Sequence, residues 1–210
     1  MVLIGVALGS SNSEWYSSDV GEYEAKDPLS AMASYDGKNY RAILQHGYSP
    51  QHPSDFAFFP IYPFLSRVWL GLGFSAYESL IVTSLVCRFL SILLFAVYVR
   101  GRFENETIRF DAVALFAFFP TMFHYWMAYT ESMFSVLVLL VMIGIQSKHP
   151  IVWIALIAGV TSGTRLVGLA LLPIVAWHVL ERNHYGLRGW VVVLGAVPLS
   201  ASGLIGYVFY

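Results

Sequence analysis

From residue 79 onward the chain is a series of apolar runs separated by short polar breaks. The runs cover residues 79–99, 112–129, 132–146, 151–164, 166–180 and 190–210. The first matches the ~20 apolar residues that cross a ~30 Å hydrocarbon core as a helix. The run at 132–146 is short. Those at 151–164 and 166–180 read either as two short antiparallel spans or as one long helix interrupted at Arg165. Residues 56–74 are also apolar, but they hold Pro60, Pro63 and Arg67. A charge at mid-bilayer costs ~2.5–3.5 kcal/mol on insertion scales. An interfacial or re-entrant segment is therefore predicted there, not a clean span.

The first 55 residues have a different pattern. Residues 10–55 carry seven acidic and three basic side chains. Within them Tyr40, Ile43, Leu44 and Gly47 recur at helical spacing, with Asp36 one turn before Tyr40. That spacing predicts a short amphipathic helix lying on an interface. Residues 1–8 are apolar without the charged leader or cleavage site of a signal peptide, and read as the tail of a first membrane helix. The expected organisation is a partial first membrane helix at 1–9, an external loop with interfacial or re-entrant helices at 10–78, and a transmembrane helical bundle at 79–210. The whole reads as the N-terminal part of a longer all-α protein.

Composition supports a membrane protein. Hydrophobic residues make up 57% of the chain and charged ones 12%, against about 25% charged in soluble domains. Mean hydropathy is +0.63. The net charge of −1 says nothing about partners, and no basic patch suggests nucleic acid. A single cysteine, Cys87, excludes an intrachain disulfide. Charge also orients the chain. If residues 56–74 do not cross, the loops at 100–111, 148–150 and 181–189 share one side. They hold Arg100, Arg102, Arg109, Lys148, Arg182 and Arg188, half of the twelve Lys and Arg residues. The positive-inside rule makes that side cytoplasmic. Asp36, Glu131 and Arg165 then lie together on the opposite face.

Each of these three admits a structural and a chemical reading. Asp36-Gly37 is a turn signal, or Asp36 caps the helix that follows; alternatively Asp36 is a base that deprotonates an incoming hydroxyl beside the membrane. Thr130 caps the helix that follows and Glu131 complements its dipole, or Glu131 belongs to a site. Arg165, in Thr161-Ser162-Gly163-Thr164-Arg165-Leu166-Val167-Gly168, snorkels to the interface, or binds a phosphate through its guanidinium. Arg67 and Arg88 share that logic more weakly. His46, His52 and His124 have no metal-ligand spacing, so no metal site is predicted. No glycine-rich phosphate loop follows a strand, and no cofactor is predicted.

In this order the motifs resemble the PIG-V-type mannosyltransferases, a family that includes the enzyme adding the second mannose of the GPI anchor. The family's Trp-Asp-Gly, Tyr and Gly-Tyr positions correspond to Tyr35-Asp36-Gly37, Tyr40 and Gly47-Tyr48. Its Phe-Phe-Pro-Leu-Tyr-Pro segment corresponds to Phe58-Phe59-Pro60-Ile61-Tyr62-Pro63. Pro120 with Tyr129-Thr130-Glu131-Ser132, and Ser162, Thr164, Arg165 and Gly168, match two later motifs. Tyr35 and Ile61 depart from the pattern. The resemblance implies a GT-C-type membrane bundle that transfers a hexose, often mannose, from a polyprenyl- or dolichyl-phosphate carrier. It places that chemistry on the periplasmic or lumenal face of a bacterial inner membrane or endoplasmic reticulum. Asp36 is then the expected base, and Arg165, Glu131, Tyr40 and Tyr62 the expected substrate-binding residues. The partners would be the lipid-linked donor, a glycan or glycolipid acceptor and the membrane itself. A transporter or lipid flippase, with polar residues lining a midplane path, and a non-catalytic membrane subunit are the rival readings.

Overall fold

The computed structural model describes residues 32–33, 35–49 and 53–208. The predicted partial helix at 1–9, most of the polar stretch before Asp36, and His52 lie outside them. The fold is all-helical, with no strand among the described residues. It begins with α1 (Asp36–His46), a 3-10 turn (Pro53–Ala57), α2 (Ile61–Gly71) and α3 (Ala76–Arg100). There follow α4 (Glu106–Phe118), a 3-10 helix (Pro120–Trp126), α5 (Glu131–Gln146) and α6 (Ile151–Ser162). A second 3-10 turn (Leu166–Ala170) leads to α7 (Leu171–Arg182), α8 (Leu187–Ser200) and α9 (Ser202–Val208).

The helix predicted from Tyr40, Ile43 and Leu44 is α1, which buries those three and Gly37. It ends at Gly47 with φ 76°, a left-handed conformation that glycine adopts without strain. Helix α2 has 11 residues. At 1.5 Å per residue it rises about 16 Å, half a bilayer core. The predicted loop boundary at residue 78 falls inside α3, which starts at Ala76. Ser75 and Glu78 close a capping box: Ser75 Oγ accepts from the Glu78 N–H at 3.3 Å, and Glu78 Oε2 from the Ser75 N–H at 2.8 Å.

The predicted span at 112–129 is not one helix. Asn105 Oδ1 accepts from the N–H groups of Thr107 and Ile108 at 2.8 and 3.2 Å, which starts α4 within the polar loop. Phe119, extended before Pro120, ends it. The carbonyls freed there are met by Arg88 from α3, 4% exposed. Its guanidinium donates to the Ala117 carbonyl, reaches Met122 Sδ at 3.3 Å and lies over the Tyr125 ring at 5.2 Å. A cation at the negative end of α4 answers the helix dipole. Arg88 is thus committed to the fold, which displaces the weak anion-site reading. At Arg165, the hairpin alternative is the one that folds: Arg182 Nη1 on α7 donates to the His149 carbonyl just ahead of α6, at 2.8 Å.

Among the described residues, α3 is the one helix long and apolar enough to cross a bilayer unaided; α8 and α9 reach that length only as a pair bent by 48°. The two faces of α3 are revealing. Ser79, Thr83, Ser84, Cys87 and Ser91 are buried, while Val86, Phe89, Leu90, Leu93 and Val97 are exposed. Small residues and interhelical hydrogen bonds hold the buried face, as they do between helices packed in lipid. Tyr62 on α2 donates to the Leu80 carbonyl at 2.9 Å and bonds Ser84 Oγ at 2.8 Å, and Ser66 bonds Thr83 at 2.8 Å.

Two buried clusters share α5 as a common wall. One joins Tyr40 and Leu44 of α1, Tyr62 of α2, Leu80 and Ile81 of α3 and Met133 of α5. The other joins Val141 of α5 to Ile154 and Ala158 of α6, Val175 and Val179 of α7 and Ala196 of α8. The C-terminal ends of α3, α5 and α7 gather at one pole. A Cβ at Gly101 would run into the Gln146 side chain, and Arg182 reaches His149. The 16-residue α5 places Glu131 about 24 Å from that pole.

Helices α6 and α9 meet backbone to backbone. A Cβ at Gly203 would collide with the Gly159 carbonyl and lie 2.5 and 2.8 Å from N and Cα of Gly163. A Gly203→Leu variant is expected to lose about 1–3 kcal/mol. In detergent this reads as a fall in melting temperature of roughly 2–4 °C per kcal/mol. Gly206→Leu, whose Cβ meets nothing within 4 Å, melts with the parent. Equal melting of the two variants would refute the close crossing.

Candidate functional site

Asp36 opens α1, and Gly37 is inside the helix. Gly37 packs on the strip before α5, where a Cβ would stand 3.3 Å from Ala128 Cβ. The Ala128 N–H donates to the Met32 carbonyl at 2.8 Å and pins that contact. The dipeptide is therefore not a turn. Nor is Asp36 a cap: the N-cap is Tyr35, and no side chain caps α1. Tyr35 has φ 53°, a conformation that residues other than glycine avoid. With neither local role taken up, the Asp36 carboxylate faces a cavity.

Glu131 opens α5, and its charge suits the helix N-terminus. The predicted Thr130 cap is absent. The Thr130 hydroxyl instead accepts from Arg165 Nη1 at 3.3 Å and hydrogen-bonds Tyr40. Arg165 Nη1 also pairs with Glu131 Oε1 at 2.5 Å. Glu131 Oε2 is buried with no hydrogen-bond partner.

Arg165 follows the break after α6. Thr164 Oγ1 donates back to the Thr161 carbonyl at 2.7 Å. Gly168 then folds the 3-10 turn over the end of α6, so closely that a Cβ would lie 2.6 Å from the Thr161 carbonyl and 2.8 Å from Ser162 Cα. This fold-back aims the guanidinium across the cavity to α5 instead of outward to an interface.

The cavity is about 240 Å³. Asp36, Glu131, Arg165, Thr130, Thr164 and the Tyr40 hydroxyl supply its polar lining, and Phe58, Phe59, Tyr129, Leu166 and Val167 its apolar wall. Asp36 is exposed, but partial desolvation raises the pKa of its carboxyl above the ordinary aspartate value; the Glu131 charge raises it further, and Arg165 opposes both. Burial also pushes the Tyr40 hydroxyl up, so it stays protonated as a donor at neutral pH. The Glu131 and Arg165 side chains are 30% and 37% exposed. Pairs this solvated add ~0–1 kcal/mol to stability, so the pair chiefly positions the guanidinium.

Four of the five residues singled out from sequence meet here: Asp36, Tyr40, Glu131 and Arg165. Tyr62 does not. It is wholly buried, its hydroxyl is engaged by Leu80 and Ser84, and its ring stands edge-on to Tyr40 at 5.0 Å. It supports Tyr40 from behind. Thr130 and Thr164 were not anticipated as lining residues. The available signal was their place beside Glu131 and Arg165 within the same motifs. No protein-family model, no curated protein and no solved structure matches this chain.

Proposed function

We propose that the chain is a multi-pass membrane glycosyltransferase of the GT-C type. It would move a hexose, mannose by the motif resemblance, from a polyprenyl- or dolichyl-phosphate carrier to an acceptor hydroxyl. The site would face the periplasm or the lumen, opposite the arginine-rich pole. The observation that carries this reading is the meeting of Asp36, Glu131 and Arg165, from three distant segments, around one cavity beside an apolar wall.

In this reaction Asp36 takes the proton of the acceptor hydroxyl as its oxygen attacks the anomeric carbon. The bond from that carbon to the phosphate oxygen breaks, and the configuration inverts. Negative charge grows on the departing lipid phosphate, where a preorganised guanidinium is most effective. Arg165 holds that phosphate, and Glu131 and Thr130 hold Arg165. A raised pKa makes Asp36 a stronger base in its ionised form. A cavity of about 240 Å³ takes the reacting head groups, and the lipid chains remain in the bilayer.

The test incubates the membrane-embedded protein with a radiolabelled polyprenyl-phosphate mannose and follows the glycosylated product and its anomeric configuration. Inverted product that depends on the protein supports the reading; retention, or no transfer with any lipid-phosphate hexose, ends it. The pH profile adds a second check. Asp36 must be ionised, so kcat/KM rises with pH through the Asp36 pKa, and the acid limb lies above the ordinary aspartate value. Glu131→Gln removes one of the charges that raise that pKa, so it moves the limb to lower pH. A limb that stays in place in Glu131→Gln contradicts the electrostatic coupling.

A further inference from the structure

A second and larger cavity lies behind the wall of the first. It is a groove of about 540 Å³ between α2 and α9, floored by the end of α1. The 48° bend between α8 and α9 tilts α9 away from the line of α8 and along this groove. The lining is apolar and aromatic, including Tyr48, Ile61, Phe64 and Tyr207, with open backbone at Gly206. Arg67 is the single charged residue in it. Arg67 is exposed, and among the described residues no carboxylate pairs with it. Phe64 in the lining is 69% exposed, so the groove opens along an apolar edge.

We propose that this groove binds an anionic glycerophospholipid of the surrounding bilayer, with the phosphate on Arg67 and one acyl chain along the groove. The volume fits the ~300–1,000 Å³ of ordinary ligand sites, and the charge pattern fits the amphiphile. A lone guanidinium at the end of an apolar channel matches a phosphate carried on a hydrocarbon chain. The occupant is distinct from the proposed sugar donor. Phe58 and Phe59 line the reaction cavity while Pro60 and Ile61 line the groove. This dividing strip is fixed by hydrogen bonds from Tyr48 to the Phe58 carbonyl at 2.5 Å and from Tyr207 to the Phe56 carbonyl at 2.6 Å. A donor whose phosphate sits on Arg165 leaves Arg67 to another head group. The proposal rests on the membrane placement and not on the transferase reading.

The test uses the purified full chain and native mass spectrometry, with phosphatidylglycerol and phosphatidylcholine of identical chains. Phosphatidylglycerol is expected to be retained roughly tenfold better, because the phosphate of phosphatidylcholine is neutralised by its own ammonium, which Arg67 also repels. Arg67→Gln erases that preference. Gly206→Phe, which fills the groove without meeting backbone, lowers retention of both lipids. A photoactivatable acyl chain on phosphatidylglycerol should label the segments around Ile61–Phe64 and Gly203–Tyr207. Equal retention of the two lipids, unchanged retention in both variants, or labelling spread evenly over the helices overturns the proposal. Displacement by polyprenyl phosphate at lower concentration than by phosphatidylglycerol also overturns it, and gives the groove to the donor. Asp36→Asn, which has no part in the groove, retains lipid as the parent does, whether or not it transfers sugar.

Discussion

Asp36→Asn lowers the rate of sugar transfer by about 10²- to 10⁴-fold, the range that a general base supplies. The loss is expected in kcat, because in the proposed reaction the donor phosphate is held by Arg165 and not by Asp36. Folding is spared for reasons visible at the site. The substituted side chain caps nothing, and asparagine has nearly the same size. Asp36 is exposed, so its charge adds little to folding and the melting temperature stays level. Single-turnover transfer, measured beside thermal melting in the same detergent, separates the two effects. Normal transfer by Asp36→Asn would sink the base assignment. Loss of transfer together with a collapsed melting curve would assign Asp36 to the fold.

Arg165→Gln is the second large effect, about 10²- to 10³-fold in kcat/KM, as for other groups that stabilise developing negative charge. Unlike Asp36→Asn, it should also weaken binding of the unreactive product polyprenyl phosphate, because the guanidinium meets phosphate before and after the reaction. Arg165→Lys recovers only part of the loss: an ammonium keeps the charge but not the planar fork that engages Glu131 and a phosphate together. If Glu131 acts by positioning Arg165, the double variant Glu131→Gln/Arg165→Gln is no worse than Arg165→Gln alone. Additive losses would instead give Glu131 its own contact with substrate, for which its unpartnered Oε2 is available.

These predictions treat three residues as one site, and the sequence went some way toward that. If residues 56–74 do not cross, the Lys and Arg count at 100–111, 148–150 and 181–189 predicts Asp36, Glu131 and Arg165 on one face without any structural information. The structure brings the ends of α3, α5 and α7 to one pole and the cavity to the other, an arrangement compatible with that assignment. Local roles were harder to read. Asp-Gly scores as a turn because the dipeptide is common in turns, yet Gly37 is glycine because Ala128 lies against it. Thr130 scores as a cap, yet its hydroxyl goes to Arg165 and Tyr40. In both cases a residue from elsewhere in the chain took the group that local preference had assigned to its neighbours.

The sequence alone determined what depends on nearby residues: the apolar runs, the α1 helix from the Tyr40, Ile43 and Leu44 spacing, the short reach of the Pro-containing 56–74 segment, and the break at Arg165. These follow from side-chain transfer free energies and backbone preferences over one or two turns. Tertiary structure alone decided that Arg88 meets the break before Pro120, that Tyr62 faces inward, that the Arg165 break folds into a hairpin, and that Asp36 has a free carboxylate. It also decided that Arg165 meets Glu131 across the cavity. These turn on side chains brought together from segments about 18 to 130 residues apart, from Tyr62 with Leu80 to Asp36 and Arg165 around one cavity, which no periodicity along the chain records.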